Sequence, residues 1–440
     1  MRVLMVQTPS VEGVSSERVY PLGLVLLAGR IRGAGHDVEI IDMNLRADPY
    51  GALRERLLDS RPHVVCLSLR NIDPLGNKHT SLVPPFVAAA RLICAVSPET
   101  TVLAGGTGFS LFPERLMREV PKIRYGLVGE AEESLPRLLS SLDNPPRLKG
   151  LCHRKGGRIR MTPPARDFDM SAYVPPERGL LDPSAYLDIN TYVPAIGIET
   201  KRGCPFGCSY CVYPMLQGKR LRLRPPKAVV DEMESLRHEY GVERFHFTDP
   251  VLNAPRGHLE RICEELLRRK LNVRWDGFMR ENLLNEKNVA LFEKAGCECF
   301  SFSPDGLCTQ SLRVLGKGMD ESHILGAARL VSKTDVTCVY HFMVNVPGEN
   351  EETCKAAFTL LGRLYELHSR KRNLGTIVLN NLRILPGTAI EDRARAEGVI
   401  GPDTDLLYPT YYNPPPFDAL RYRLETLHFC KNVFSWQGIR

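Results

Sequence analysis

The sequence has no apolar run of the eighteen or so residues that cross a bilayer as a helix, so a helical membrane span is excluded. It opens without a basic leader: Met1-Arg-Val-Leu-Met reads directly as a strand, which points to a protein that stays in the cytoplasm. Internal repeats and low-complexity tracts are missing. Charge of one sign is also scarce. The 58 Lys and Arg against 51 Asp and Glu leave a net +7, spread along the chain. The densest basic run, Lys219-Arg-Leu-Arg-Leu-Arg224, alternates as an edge strand with a solvated face would. A broad basic field with interleaved aromatics, which nucleic-acid binding calls for, is absent, so neither nucleic acid nor membrane is an expected partner.

What is present suits a two-domain α/β protein of 440 residues with an ordinary apolar fraction. Thirteen cysteines in a long chain without a leader argue for reduced thiols and a metal site, not a disulfide framework. Ten of them, such as Cys66, Cys263 and Cys338, sit among apolar neighbours as core filler. Within that group Cys297 and Cys299 form a CxC pair, a weak signal for an auxiliary cluster. The other three stand in Cys204-Pro-Phe-Gly-Cys208-Ser-Tyr-Cys211, a spacing that can wrap three thiolates around one metal centre. A structural zinc site needs a fourth ligand, and the next histidine is only His238. An iron–sulfur cluster on three thiolates instead leaves one iron open.

Along the chain, residues 1–145 alternate strands (3–7, 38–42, 64–69, 101–105, 123–128) with helices, which predicts a doubly wound, Rossmann-like parallel sheet. Ligands of such sheets bind beyond the carboxyl ends of the strands, at the switch point of strand order. Residues 146–193 are Pro-rich and aperiodic, and read as a linker. Strand–helix alternation resumes over 194–400, with six strands at 195–200, 244–248, 273–278, 299–303, 337–344 and 376–385. Residues 401–440 read as a tail with one amphipathic helix.

The CxxxCxxC pattern, with Tyr210 before its last cysteine, resembles the signature of the radical S-adenosylmethionine (radical SAM) superfamily. The six repeats fit that family's partial (β/α)6 barrel, whose active residues collect at the carboxyl ends of the strands. The resemblance implies a [4Fe-4S] cluster on Cys204, Cys208 and Cys211, with SAM on the open iron. It places Tyr210, Thr248, Asp249, Ser301, Ser303, Asp305 and Glu349 at the SAM site. Glu281 and Asn345 are the catalytic candidates, and Glu199 is a further inward-facing residue. The phrases Pro21-Leu-Gly-Leu, Gly35-His-Asp-Val, Gly105-Gly-Thr-Gly108 and Val128-Gly-Glu-Ala-Glu-Glu133 resemble the cobalamin-binding domain that precedes the barrel in many of these enzymes. They mark a cobalamin-type pocket at Arg70, Gly105, Gly106, Gly108 and Gly129, with Glu130 and Glu132 read as helix caps. The DxHxxG motif that sets a histidine under cobalt is missing; Ser68-Leu-Arg70-Asn71-Ile-Asp73 stands there, and an arginine is no metal ligand.

The family reaction is reductive cleavage of SAM to a 5′-deoxyadenosyl radical, which takes hydrogen from an unactivated carbon. Two outcomes follow from that start. The favoured one is methylcobalamin-dependent C-methylation of a small substrate. The alternative is dehydration of an aminosugar diol without cobalamin, as in the diol dehydratase of apramycin-type pathways, which is similar in length and layout. The carboxylates Asp249, Asp305, Glu281 and Glu349 suit a cationic aminosugar, and a flavodoxin- or ferredoxin-type donor would supply the electron.

Overall fold

A computed structural model describes residues 1–9, 18–74, 80–187 and 193–412. The expected C-terminal helix and the Pro414–Pro416 run lie outside them, as does most of the loop after the first strand. Contacts group residues 1–74 and 80–187, with 215–218, in one compact unit, and 193–214 with 219–412 in another. Among the described residues no helix is long and apolar enough to cross a membrane.

The first unit is a seven-stranded sheet ordered β2-β1-β3-β4-β5-β6-β7. Its parallel part comprises β1 (Arg2–Gln7), β2 (Asp37–Asp42), β3 (Val64–Ser68), β4 (Thr101–Gly105) and β5 (Ile123–Leu127). Strands such as Val-Leu-Met-Val in β1 are apolar throughout because both faces are covered. The covering helices are α1 (Leu22–Gly33), α2 (Pro49–Ser60), α3 (Val83–Val96), the short α4 (Thr107–Leu111), α5 (Pro113–Glu119) and α6 (Ser134–Leu139). One core cluster joins Val3 and Met5 of β1 to Leu24, Ala28 and Ile31 of α1 and Leu135 and Leu138 of α6. The order 2-1-3 puts the switch point between β1 and β3, so Arg70 and Asn71, exposed just beyond β3, stand at its edge.

The stretch expected to be a linker is in part structured. Leu151–Lys155 (β6) and Arg158–Met161 (β7) form a hairpin on β5, with Lys155 opposite Arg158. The two residues between them, Gly156 and Gly157, have φ of 59° and 74°. That is the hairpin turn which only glycine, Asn or Asp takes easily, a signal the Pro-rich surroundings obscured. Glu130 is not a helix cap either: its carboxylate accepts the Phe168 N–H at 2.8 Å, tying this segment back to the end of β5.

The second unit centres on six parallel strands ordered β15-β14-β13-β12-β11-β8, an open sheet in which β8 and β15 are the two edges. They are β8 (Gly197–Ile198), β11 (Arg244–Phe247), β12 (Arg274–Met279), β13 (Cys297–Asp305), β14 (Thr337–Val344) and β15 (Leu374–Asn381); a small ladder pairs β9 (Lys201–Arg202) with β10 (Arg222–Leu223). Helices α8 (Pro226–Tyr240), α9 (His258–Arg269), α10 (Glu286–Lys294), α11 (Thr309–Val314), α12 (Glu321–Val331), α13 (Glu351–Ser369) and α14 (Ala389–Ala396) alternate with them, and the short α7 (Tyr213–Gln217) precedes β10. Phe247 meets Trp275, which meets Phe292 of α10, so alternate residues of β11 and β12 face the helices. His246, Thr248, Asp276 and Phe278 therefore point into the lumen. The basic run expected as a solvated strand face ends differently. Arg224 is buried, paired with Glu232 at 2.8 Å and donating to the Glu199 carbonyl at 2.6 Å.

Candidate active site

The cysteine loop leaves β9 at the carboxyl end of the second sheet. Cys204 is buried, and Cys208 and Cys211 are half-buried. Burial pushes the Cys204 thiol up; the Phe206 backbone N–H and the positive charges of Arg280 and Lys317 act against that. Burial also raises Cys211, to about 12. Metal binding needs thiolates, so nearby cations favour loading of the loop. Among the described residues no three His, Cys, Asp or Glu side chains converge as they would around one metal ion. A four-iron cluster takes each thiolate on a different iron, so its ligands are spread more widely than that.

Lys317 gathers the groups around the loop. Its ammonium lies 2.6 Å from Asp305, 2.8 Å from the Ser303 carbonyl and 3.5 Å from the Tyr210 hydroxyl. Tyr210 in turn donates to Asp305. Burial works against the Lys317 charge, yet the Asp305 carboxylate, with the charges at Cys208 and Glu281, holds it above its ordinary value. Asp305 itself turns the chain at φ 65°. Arg280 stacks over the Phe206 ring at 4.0 Å.

Asp249 sits apart from that group, wholly buried. It accepts from the Thr200 N–H at 2.8 Å, the Thr200 hydroxyl at 2.5 Å and the Lys201 ammonium at 2.8 Å. Every contact goes to the segment that leads into Cys204, so its hydrogen-bonding capacity is used by the fold. Thr248 is half-buried beside it, its hydroxyl 3.4 Å from the Ile198 carbonyl. Ser301 is buried in β13 with Cys299 Sγ at 3.5 Å, and Glu199 pairs with Arg202 at 2.9 Å.

Among the described residues, buried polar atoms at the strand ends of this unit that lack protein partners include Glu281 Oε1, Glu349 Oε2 and Asn381 Nδ2. Burial raises both carboxyls to about 7. Asn345, at φ 60°, donates to Asn381 Oδ1 at 3.4 Å. Buried polar atoms almost always find a partner, so each of these is a candidate contact for a polar ligand.

In the first unit the glycines behave otherwise. A Cβ at Gly106 (φ 102°) would sit 2.4 Å from the Leu69 carbonyl, one at Gly108 2.9 Å from the Asn71 backbone, and one at Gly129 (φ 84°) 2.2 Å from the Ala165 carbonyl. These glycines let the chain approach itself at the carboxyl edge. Gly105 meets nothing closer than 3.6 Å. Cys297 and Cys299 lie in the first half of β13, away from its carboxyl end, with burial raising both thiols, Cys299 to about 12, so they are core residues and not an auxiliary ligand pair.

The profile of the Radical SAM superfamily matches residues 198–361, and that of the B12 binding domain matches residues 11–139. The chain thus carries a radical SAM domain over residues 198–361. It pairs the radical SAM unit with an N-terminal B12-binding-type domain, and is an enzyme. An uncharacterised methyltransferase of Pyrococcus horikoshii is 26% identical over 371 residues, 83% of this chain and 78% of that protein. An anaerobic magnesium-protoporphyrin IX monomethyl ester cyclase of Rubrivivax gelatinosus is 26% identical, over 77% of this chain and 61% of its own length. The radical SAM methyltransferase TsrM of Kitasatospora setae, solved with tryptophan and a SAM analogue, superposes with a TM-score of 0.75 at 23% identity, over 90% of this chain and 76% of that one. At that identity the likeness shows the fold. Of the residues that hold the cysteine loop or stand buried at the strand ends, the sequence reading missed Lys317, Arg280 and Asn381. Only Lys317 carried a signal, its place between two glycines, Gly316 and Gly318, both at positive φ.

Proposed function

We propose that this radical SAM enzyme methylates carbon in a small organic substrate, with a [4Fe-4S] cluster on Cys204, Cys208 and Cys211 and cobalamin at the β1/β3 edge of the first unit. The carrying observation is the donor set: three free thiols on one loop, with the buried Glu281, whose Oε1 lacks a protein partner, facing the Lys317 and Arg280 that hold that loop. When bound, the reduced cluster supplies the electron that cleaves SAM, and cobalamin supplies a transferable methyl group. The chain's own residues bind and orient. Glu349 and Asn381 offer an acceptor and a donor for SAM, and Tyr210 and Asp305 are held in place by Lys317. Glu281, buried and raised to about 7, is a group able to hold or release a proton beside the cysteine loop. Arg70, exposed just beyond β3 at the switch point, would border a cobalamin held there and, as an arginine, would not ligate its metal.

A cationic aminosugar loses its main support. Asp249 is paired with Lys201, Asp305 with Lys317, and burial drives Glu281 and Glu349 towards neutrality, so the four carboxyls make no strong negative field. The test is corrinoid per chain after growth with ample cobalamin, together with products of turnover. Near-full occupancy, with S-adenosylhomocysteine formed alongside 5′-deoxyadenosine, supports methylation. Corrinoid near zero, with turnover needing only SAM and a flavodoxin-type reductant, overturns it in favour of dehydration.

A further inference from the structure

The cysteine loop is gripped from one side by the turn Leu315-Gly-Lys-Gly318, which follows α11. Ser209, between the second and third cysteines, donates its N–H to the Leu315 carbonyl at 2.9 Å and its hydroxyl to the Val314 carbonyl at 3.1 Å. Gly316, at φ 65°, comes so near that a Cβ there would lie 2.9 Å from the Gly207 carbonyl. Lys317 reaches Tyr210 and Asp305 as described, and Arg280 both donates to the Lys317 carbonyl and covers the Phe206 ring. The Ser209 carbonyl is held in turn by the Ile390 N–H at 3.1 Å. Phe206, Gly207, Ser209 and Tyr210 thus each rest on a fixed partner.

We propose that residues 315–318 are a positioning element for cluster assembly: they set the three thiols in place before metal arrives, and Lys317 brings positive charge to the loop. Ordering a loop costs conformational entropy, and a loop ordered in advance does not lose that much affinity for its ligand. Three thiolates on eight residues also repel one another; Asp305 balances part of the Lys317 charge, so the offset is partial and falls on Cys204, which Arg280 also faces. The proposal rests on the cysteine loop being the cluster site.

The test uses Gly316→Ala, Lys317→Met and Lys317→Arg in the full chain, with Cys204→Ala and Gly326→Ala as controls. A Cβ at Gly326, in α12, would meet nothing within 4 Å. Iron and sulfide per chain after anaerobic reconstitution, the rate of cluster bleaching by a chelator, and the electron paramagnetic resonance of the reduced cluster are read beside the melting temperature of the apoprotein. Lys317→Met is expected to bleach roughly tenfold faster, the factor carried by one hydrogen bond to a charged group, and Gly316→Ala to bleach faster than the parent because its Cβ pushes on the Gly207 carbonyl, both with an altered resonance. Lys317→Arg is expected to restore both, and Gly326→Ala to match the parent. If Gly316→Ala fails to fold, the two Lys317 variants decide. Parent-like bleaching and resonance in Lys317→Met, while Cys204→Ala loses its iron, overturn the positioning role alone. Full iron in Cys204→Ala overturns the cluster assignment beneath it.

Discussion

The carboxyl edges of the two sheets differ in balance: among the described residues each has glycines that close on backbone and buried polar atoms without a partner, Ser134 Oγ after β5 in the first, but the second has more of the latter. In the first unit the tight places are filled by the chain: Gly106 and Gly108 close on residues 69–71, and Gly129 closes on Ala165. In the second, polar atoms of Glu281, Glu349 and Asn381 are buried with no protein partner. Glycine-bearing loops at a sheet edge are thus weak evidence of a ligand, since backbone packing needs them too. Buried polar atoms without partners are stronger evidence, because leaving them so is unfavourable by about 1–3 kcal/mol each.

The sharpest way to break this contrast is at the cysteines. Changing Cys204, Cys208 or Cys211 singly to Ala is expected to abolish cluster absorption and SAM cleavage, while Cys338→Ala, in the β14 core, lowers stability and keeps the cluster. Iron retained in full by any of the three loop variants would remove the second unit's site. Next in size is Asp249→Ala, which leaves the Lys201 ammonium buried and unpaired. Breaking such a pair typically loses about 3–5 kcal/mol, so urea unfolding should shift strongly. The folded fraction is expected to bind SAM as the parent does; a large loss of SAM affinity without lost stability would return Asp249 to the SAM site. Gly106→Ala tests the first unit. Backbone strain at positive φ is worth about 1–3 kcal/mol, to which the approach to Leu69 adds. A melting temperature unchanged by this substitution would show that the glycine is there for a ligand.

The smallest effect is a pH dependence. Burial raises Glu349 from 4.5 to about 7, so the folded state keeps its proton longer than the unfolded chain. Its contribution is fully present below pH 4.5 and is lost as pH rises towards 7. Each unit in that window weakens the apoprotein by at most about 1.4 kcal/mol, and Glu349→Gln should remove that part of the slope. Glu281 titrates over the same range and keeps its own share. Identical slopes in parent and variant, from urea unfolding at pH 5 to 8, would mean that Glu349 is hydrated and ionised.

Several elements were legible from pattern alone. The strands at 101–105 and 337–344 fall where periodicity puts them, because alternation is local. The cysteine loop was legible for the same reason, its spacing being a property of eight consecutive residues. The hairpin of β6 and β7 had a local signal in Gly156-Gly157, hidden by the prolines around it. Pairing could not be read locally. That Asp249 holds Lys201, that Lys317 holds Asp305 and Tyr210, and that Glu349 is left partly unpaired depends on which strand ends the sheet order brings together. The sequence determined which residues are capable of chemistry. The tertiary structure decided which of them the fold already uses, because a carboxylate serves structure or ligand according to the partners within about 3 Å of it.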